Sequence, residues 1–420
     1  MAEIIQMRQN RVGIEKIFAY PCTLSLDMVA LAEARGVSPA HPLDELWVES
    51  RSLNPVWEDP VTMAVNAALG LLNSGDSEID PKQVEMIVVG TESSVDFGKP
   101  ISSWVQRLSG ASANCRNFET KHACYGGTGG LMAAAHWVAS GFNRGKKALV
   151  VCADQSRMHL GKPWEFVLGA GATAMLISDQ PDFLEFELDK NGYWTNEISD
   201  TYRPTSRDEV GHADTSLFGY LEAVEGSAEH FMEVAGEPDY DSFARHIYHV
   251  PFGAMTYRAH RAVVRRWMSL PNKQIRPHFE RKSKPGLKYN RRLGGTYTSA
   301  TFLAMMGTIS AAGDELSAGD RISVFSYGSG SCSEFYPVRV GPKAKAIVDA
   351  ADLDGLLDAR RALTVPEYEA VEKARATTVD NANFTTDKGS PAGLWEAAYE
   401  GKGRCVLDGV DGWERQYRLS

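Results

Sequence analysis

Residues 122–141, HACYGGTGGLMAAAHWVASG, decide how the chain folds and where its chemistry lies. A strand-like segment, CRNFETKHA at 115–123, leads into Cys124, and a glycine-rich helix with small and apolar residues follows. A cysteine at such a junction meets unpaired helix N–H groups and the positive end of the helix dipole, which favour a thiolate. Bare glycine backbone beside the sulfur suits the approach of a thin acyl arm. The alternative is a buried cysteine at a tight turn.

Outward from this segment, the first half alternates apolar strand-like runs with helices. Strands are predicted at VGIEKIFAY (12–20), VEMIVVG (84–90), KKALVVCAD (146–154) and GAGATAMLIS (169–178). Helices are predicted at about 60–72, where Asp59 and Pro60 give an N-cap and a first-turn proline, and near 102–110. This alternation predicts βαβ units and an α/β sheet.

The second half repeats the rhythm less clearly. Helices are predicted at DYDSFARH (239–246), in the basic segment that follows, and at SATFLAMMGTIS (299–310), with strands at IYHVPF (247–252), RISVFSYGSG (321–330) and EFYPVRV (334–340). Two stretches rich in Gly, Pro and charge, 189–215 and 271–296, are interpreted as long loops that form active-site walls.

Composition limits the class of protein. The 420 residues are 43% hydrophobic, and no run approaches the roughly 18 uninterrupted apolar residues of a membrane helix. The start lacks a basic segment leading into an apolar run, and the six scattered cysteines form no C-x-x-C pair. We expect a cytoplasmic protein with free thiols, no membrane association and no metal site.

Positive charge is concentrated in one segment of an otherwise acidic chain. Net charge is −10, yet residues 258–292 hold twelve Lys or Arg and one acidic residue, Glu280. Arg258, Arg261 and Arg265 share one face of the predicted helix, which suits an acidic protein partner, although a merely solvated helix is the alternative. Nothing resembles a groove-reading helix or a base-stacking sheet, so nucleic acid is discounted.

Three further sites could take part in chemistry. Glu92 follows the strand at 84–90 and is either a general acid/base with a raised pKa or a cap. His249 lies in an apolar strand and either binds a substrate carbonyl or is structural, and His246 is assigned to a helix end. The loop SYGSGSCSE (326–334) either presents N–H groups to an oxyanion or turns the chain, and it lacks the P-loop ending.

In matching order, several motifs resemble the hydroxymethylglutaryl (HMG) synthase family across most of the chain. They are VGIEKI (12–17), VGTESSVDFGK (89–99), HACYGGTGG (122–130), DTYRP (200–204), YHVPFG (248–253) and FSYGSG (325–330). The resemblance implies a thiolase-like fold, with two pseudo-repeated α/β halves in a five-layered αβαβα core. We place the halves at 1–180 and 181–420, fused into one unit, and expect a homodimer.

The resemblance also implies roles for residues. Cys124 would be the nucleophile that accepts acetyl, Glu92 the base that removes an acetyl methyl proton, and His249 the group that positions the acceptor ketone. Asp154, Asp200, Tyr327 and Ser329 would support the site. A thiolate is both a nucleophile and a leaving group, and a thioester makes the protons of its methyl group acidic enough for a carboxylate to remove. Neither a metal nor a redox cofactor is therefore expected.

Two departures from the family pattern bear on the substrate. Ala254 stands where the family enzymes of primary metabolism commonly have a lysine that helps to hold coenzyme A. Gly295, in RLGGTYTSA (292–300), stands where an asparagine is expected.

Segments 56–68, 93–100 and 252–267 look more like the polyketide branch of the family, which acts on acyl carrier proteins (ACPs). The expected partners are a donor and an acceptor ACP, with acyl groups on phosphopantetheine. The predicted docking residues are Arg258, Arg261, Arg265, Arg266, Lys282 and Lys284. Two rival functions are a coenzyme A-dependent HMG-CoA synthase of isoprenoid supply and a noncatalytic scaffold that binds carrier proteins.

Overall fold

The computed structural model describes residues 11–75, 79–236 and 239–420. Its strands are β1 Gly13–Tyr20, β2 Leu24–Asp27, β3 Ser50–Leu53, β4 Val84–Gly90, β5 Arg116–Thr120, β6 Lys147–Gln155, β7 Ala170–Ser178, β8 Leu184–Phe186, β9 Gly192–Thr195, β10 Thr201–Tyr202, β11 Val210–Gly211, β12 Arg245–Tyr248, β13 Arg321–Gly328, β14 Cys332–Val340, β15 Arg361–Leu363, β16 Phe384–Thr385, β17 Cys405–Asp411 and β18 Glu414–Leu419.

The helices complete the set of elements. They are α1 Met28–Ala34, α2 Pro60–Asn73, α3 Ile101–Leu108, α4 Gly126–Ala139, α5 Ala213–Ala235, α6 Gly253–Trp267, α7 Asn272–Lys282, α8 Asn290–Leu293, α9 Ala300–Ala312, α10 Ala344–Ala351, α11 Leu353–Asp358, α12 Val365–Thr378 and α13 Leu394–Ala398. Among them α2 begins as predicted. Asp59 is the N-cap, Pro60 is the first helical residue, and Asp59 and Thr62 form a capping box.

The main sheet repeats one pairing pattern in the two halves of the chain. In the first half β4 runs parallel to β6, and β6, β7 and β1 follow in antiparallel order. In the second half β12 runs parallel to β13, and β13, β14 and β8 follow in antiparallel order. Because β8 also pairs with β1, hydrogen bonds join both sets into a single sheet of ten strands.

Side-chain alternation along the strands divides the core into layers. On β4, Val88 belongs to a central cluster that includes the inner faces of α4 and α9, whereas Ile87 and Val89 pack with α2 and α3. On β13, Val324 faces the same central cluster, whereas Phe325 packs with α5 and α6. The two sets of strands in this sheet therefore form two separate layers. The order of layers is helices, first set of strands, helices, second set of strands, helices, and the predicted five-layered, thiolase-like fold is confirmed.

The predicted boundary between the halves at 180/181 falls between β7 and β8 and stays a prediction. The end of the chain packs back on the first half, because Cys405, Leu407 and Tyr417 join the cluster under α2. Asn66 on α2 fixes this contact, exchanging hydrogen bonds of 3.1 and 2.7 Å with the backbone of Cys405.

Three assignments in the second half are wrong. The predicted helix at 239–246 is one 3-10 turn, Tyr240–Ser242, after which Arg245–Tyr248 pairs with β13, so His246 lies in a strand. The predicted loop at 271–296 contains α7 and α8, because Ile275 and Phe279 give α7 a buried face despite Pro277. The predicted loop at 189–215 ends in α5, a helix that sequence reasoning missed.

Along residues 11–75, 79–236 and 239–420, no helix combines the length and apolar character needed to cross a membrane. The predicted lack of a leader segment rests largely on residues 1–10, which lie outside the described residues. All six cysteines are free thiols, as predicted.

Candidate active site

Cys124 lies in the turn between β5 and α4, directly after Ala123 in the left-handed region (φ 42°). Its sulfur donates to Oε1 of Glu92 at 3.2 Å. Burial, followed by the charge of Glu92, raises the pKa of the Cys124 thiol well above its ordinary value. The expectation that the helix end favours a thiolate here is therefore wrong, because the desolvated sulfur beside a carboxyl group keeps its proton.

Glu92 is placed by the end of β4, two residues beyond Gly90. Burial raises the pKa of this carboxyl group to about 8, against the opposing charge of Arg203. A group with this pKa can both accept and return a proton near neutral pH. The thiol–carboxyl contact therefore joins a nucleophile to a base.

Asp154, at the end of β6, is fully buried and fixes the segment that carries Glu92. Its Oδ1 accepts from the Glu92 amide (2.9 Å) and from the hydroxyls of Thr91 (2.9 Å) and Ser93 (2.7 Å). Its Oδ2 accepts from the amide of Thr298 at 3.1 Å and from the same residue's hydroxyl. Because Thr298 belongs to the second half of the chain, Asp154 ties the two halves together beside the base.

His249 lies one residue beyond β12, and its backbone continues the pairing by donating to the Phe325 carbonyl oxygen at 2.8 Å. Burial lowers the pKa of the imidazole to about 3, so the ring is neutral. Nδ1 and the Thr301 hydroxyl share a hydrogen bond of 3.1 Å, which leaves Nε2 for a substrate. On α5, Tyr220 donates to the His249 carbonyl oxygen at 2.7 Å and holds the segment in place.

Asp200, Tyr327 and Ser329 gather where β13 turns into β14. Buried Asp200 accepts from the Tyr327 hydroxyl at 2.7 Å and from the Gly330 amide at 2.9 Å. The Ser331 amide donates to the Asn196 carbonyl oxygen. The amides of 330 and 331 are thus occupied, whereas Tyr327 and Ser329 line the cavity.

These groups meet in a cavity of about 260 Å³. Glu92, Cys124, His249, Tyr327 and Ser329 line it on one side. Apolar side chains form much of the remaining wall, namely Trp164, Val167, Leu168, Leu217, Phe252 and Met255. A small, largely apolar chamber with a few convergent polar groups suits an acyl chain that reacts at its end.

The two departures from the family pattern have structural counterparts. Gly295 lines the cavity, and a Cβ at this position would lie 2.5 Å from the Pro251 carbonyl oxygen, so an asparagine does not fit this backbone. Ala254 lies in the first turn of α6, and Arg258, one turn later, is exposed and lines the cavity. A cation is thus present at the cavity although position 254 has none.

The predicted docking cations differ in their surroundings, and docking stays a prediction for all six. Arg258 and Arg261 are exposed on α6, and Arg265 donates to Asn272 at 3.3 Å. Arg266 forms an ion pair with Glu229 of α5.

The two predicted lysines belong to the end of α7 and the turn that follows. Lys282 is 15% exposed and donates to the Phe243 carbonyl oxygen at 2.6 Å, within its own chain. Lys284 lies 3.7 Å from Glu280 and over the ring of Trp47.

Sequence reasoning missed a second charged cluster beside Glu92. Arg203 is 8% exposed and lies 3.3 Å from Glu209, which also accepts from Tyr297 (3.0 Å) and contacts His159 (3.3 Å). Burial alone would raise the pKa of Glu209, but Arg203 and His159 hold it at about 2. In the sequence, Arg203 could have been found because it belongs to the motif DTYRP (200–204). Glu209 belongs to none of the quoted motifs.

Family models match both halves of the chain. Residues 8–182 match the model described as hydroxymethylglutaryl-coenzyme A synthase N terminal, and residues 261–400 match its C-terminal counterpart.

Two curated proteins are similar over most of their length. Polyketide biosynthesis 3-hydroxy-3-methylglutaryl-ACP synthase PksG of Bacillus subtilis (strain 168) is 34% identical over 418 residues, covering 97% of this chain and 98% of that protein. Hydroxymethylglutaryl-CoA synthase of Enterococcus faecalis is 34% identical over 369 residues, covering 86% of this chain and 91% of that protein.

A solved structure extends the likeness to the fold. The HMG synthase of the curacin biosynthetic pathway superposes with a TM-score of 0.92 at 37% identity, covering 98% of this chain and 100% of that one, and it has also been solved with its holo donor-ACP. The chain therefore belongs to the hydroxymethylglutaryl-coenzyme A synthase family.

Proposed function

We propose that this protein adds an acetyl group, delivered by a donor ACP, to the β-ketone of a polyketide intermediate on an acceptor ACP. The observation that carries the proposal is the 3.2 Å contact between Cys124 Sγ and Glu92 Oε1 in the cavity. The product has a β-hydroxy group and a new carboxymethyl branch.

The first step is acylation of Cys124. Glu92 takes the thiol proton as the sulfur attacks the acetyl thioester, and it passes that proton to the departing carrier thiol. The paired groups suit this exchange, because a desolvated thiol with a raised pKa needs a base in direct contact. Acetyl-Cys124 results, and Glu92 is left ionised.

The second step joins the two carbon chains. Glu92 removes a methyl proton from acetyl-Cys124, and the enolate carbon attacks the ketone of the acceptor. Neutral His249 donates an Nε2–H hydrogen bond to the ketone oxygen, which gains charge and then a proton. This tautomer requires Nδ1 to accept, a role that the Thr301 hydroxyl suits.

The third step is hydrolysis of the enzyme thioester. Water adds to the carbonyl carbon, one water proton goes to the departing sulfur of Cys124 and the other to solvent, and the new carboxylate is released on the acceptor. No metal or redox cofactor enters the proposed chemistry, since the acyl groups arrive on phosphopantetheine.

Carrier proteins are preferred over coenzyme A as acyl donors for two reasons. The relatives include a synthase named for ACP and one solved with a donor-ACP. Arg258 and Arg261 are exposed cations on α6, Arg258 also lines the cavity, and such a surface suits the acidic surface that acyl carrier proteins typically have. The similarity to a hydroxymethylglutaryl-CoA synthase supports the coenzyme A-dependent reaction as a second candidate.

The noncatalytic scaffold is disfavoured, because a binding protein has no need of a buried thiol held against a carboxyl group. We also infer a cytoplasmic homodimer that binds neither membrane nor nucleic acid. In the described residues β5 pairs only with β4, which leaves its other edge open to a second subunit.

The test is intact-protein mass spectrometry after incubation with acetyl-ACP or acetyl-coenzyme A. We expect one acetyl group from acetyl-ACP on the wild type and none on Cys124→Ala. Labelling that is as efficient from coenzyme A would favour the second candidate, and no labelling from either donor would favour the scaffold. Cys115→Ala is the matched control, because Cys115 is a partly exposed thiol away from the cavity, and it should label normally.

A further inference from the structure

Glu92 stands between a thiol and a guanidinium group. Its Oε1 accepts from Cys124 Sγ at 3.2 Å, whereas its Oε2 lies 4.0 Å from Nε of Arg203. The second separation is too long for a hydrogen bond. In the free enzyme the carboxyl group is thus hydrogen-bonded to the thiol, whereas Arg203 acts on it through charge without a hydrogen bond.

The rest of the Arg203 guanidinium is held in place. Nη1 donates to Ser93 Oγ (2.9 Å), Nη2 donates to the Gln155 carbonyl oxygen (3.3 Å) and contacts Glu209, and the group lies over the Tyr297 ring at 4.8 Å. In the part of the chain that the structure describes, Nε is buried without a hydrogen-bond partner. An unpaired buried donor is costly, which points to a partner gained in another state of the enzyme.

Acylation of Cys124 changes what Glu92 faces. The S–H bond is replaced by an S–C bond, and the thiol proton has left with the carrier thiol, so Cys124 no longer donates to Oε1. Glu92 must then stay ionised to take a methyl proton. Its neighbours Asp154 and Glu209 are carboxyl groups, and both favour protonation of Glu92.

We propose that Arg203 is a positioning residue that forms a hydrogen bond with Glu92 only after acylation. Oε2 of Glu92 then moves into hydrogen-bond distance of Nε. The resulting ion pair keeps the base ionised and directed at the acyl methyl group. The inference rests on the proposed function for the acylation step. It assigns the unpaired Nε a partner at the stage of the cycle when a carboxylate is required.

Exchange of the acetyl methyl hydrogens for deuterium tests this role, because it needs the base but no acceptor. Acetyl-Cys124 enzyme is placed in D₂O over a range of pH, and deuterium uptake is read by mass spectrometry. In Arg203→Met we expect the midpoint of the pH profile to lie about one to three pH units above that of the wild type. Arg203→Lys, which keeps the charge, should recover most of that difference.

The control is Lys121→Met, an exposed cation that lies outside the active-site cavity, lines a separate cavity with Glu92 and should leave the midpoint unchanged. The titratable groups that act on Glu92 include Cys124, Asp154, Arg203, Glu209 and Tyr297, and only Arg203 is varied. An unshifted midpoint in Arg203→Met, or an equal loss at every pH, overturns the inference.

Circular dichroism first confirms that each variant is folded, and Arg203→Gln replaces the methionine variant if that one is not. Acetyl-coenzyme A serves as an alternative acetyl source for every enzyme. A wild type that neither donor acetylates overturns the proposed function, and the inference with it. If the wild type is acetylated and exchanges deuterium, but the uncharged variant has the same midpoint as the wild type, the inference alone is overturned.

Discussion

The protonation states of three side chains set the chemistry at the residue scale. Burial raises the pKa of both Cys124 and Glu92; the charge of Glu92 raises the pKa of the thiol further, whereas the hydrogen bond from Cys124 lowers the pKa of Glu92. His249 is neutral because burial removes its charge. The site therefore rests uncharged at the thiol and imidazole, and charge develops only during reaction.

The raised pKa of Glu92 predicts how turnover depends on pH. A carboxyl group with pKa about 8 is mostly protonated below that value, so kcat/KM should rise with pH up to about 8 and then level off. Glu92→Gln should lower condensation by roughly 10²- to 10⁴-fold and abolish this rise, because the amide cannot take the methyl proton. Steady-state kinetics from pH 6 to 9 check both statements, and a rise that persists in the variant would contradict them.

Glu92, Cys124 and His249 could be selected as candidates from sequence because each ends or follows a predicted strand, but their proposed roles come from the resemblance to the family, since position alone leaves a cap, a buried cysteine and a structural histidine as alternatives. Arg203 could be found only as a member of a motif, and Glu209 could not be found at all, since its place depends on contacts with residues far along the chain. The thiolate expectation failed for a related reason. A helix end is visible in sequence, but the depth of burial is not.

At the scale of elements, α5 and α6 matter most for access to the site. Their first turns line the cavity together, and the Glu229–Arg266 ion pair joins them further along, so the two helices run side by side in parallel. Sequence showed α6 through its charge. Helix α5 was not predicted, because its buried residues, among them Tyr220, Val224 and Phe231, are spread over 23 residues with few turn or cap signals.

The cations of α6 should act on the carrier-bound substrate and not on the chemistry. We expect Arg258→Glu with Arg261→Glu to lower kcat/KM for acetyl-ACP by about tenfold or more, through KM, with a weaker salt dependence than the wild type. The rate of deuterium exchange in the preformed acyl-enzyme should not change. Lys343→Glu with Lys345→Glu, two exposed cations at the start of α10, is the charge-matched control, and an equal effect from it would argue against docking on α6.

The backbone around Gly295 predicts that the family's asparagine cannot simply be restored. Gly295→Asn places Cβ against the Pro251 carbonyl oxygen and should destabilise the protein by about 1–3 kcal/mol without raising activity. Thermal unfolding measures the loss. Gly36→Asn is the control, since a Cβ there meets nothing within 4 Å and asparagine tolerates its φ of +67°.

At the scale of the whole molecule, the open edge of β5 predicts a dimer. Phe97 is fully exposed and lines a cavity with Glu119 of β5, so a partner at this edge would cover it. Sedimentation should find a dimer, and Phe97→Asp should weaken it measurably. Phe142→Asp, at another exposed phenylalanine, should not, and equal behaviour of the two variants would place the interface elsewhere.

The α/β class was predictable because apolar strand-like runs alternate with helical patterns, whereas the five-layered arrangement was predicted from the resemblance to the family. The errors lie in segments 189–215 and 271–296, where prolines, glycines and charges imitate loops, and in segment 239–246, where the predicted helix is a 3-10 turn followed by a strand. There, buried aromatic side chains such as Tyr240 and Phe279 determine the structure through contacts that the local sequence does not contain.

The bonds from Thr298 to Asp154 have a consequence for how the enzyme matures. As a ribosome releases the chain, residues 1–180 emerge first, and Glu92 and Cys124 are both among them. Asp154, which fixes the Glu92 segment, is also among them, but Thr298, which holds the other oxygen of Asp154, arrives more than a hundred residues later. A growing chain thus carries its reactive thiol without a finished base beside it, and full reactivity belongs only to the completed protein.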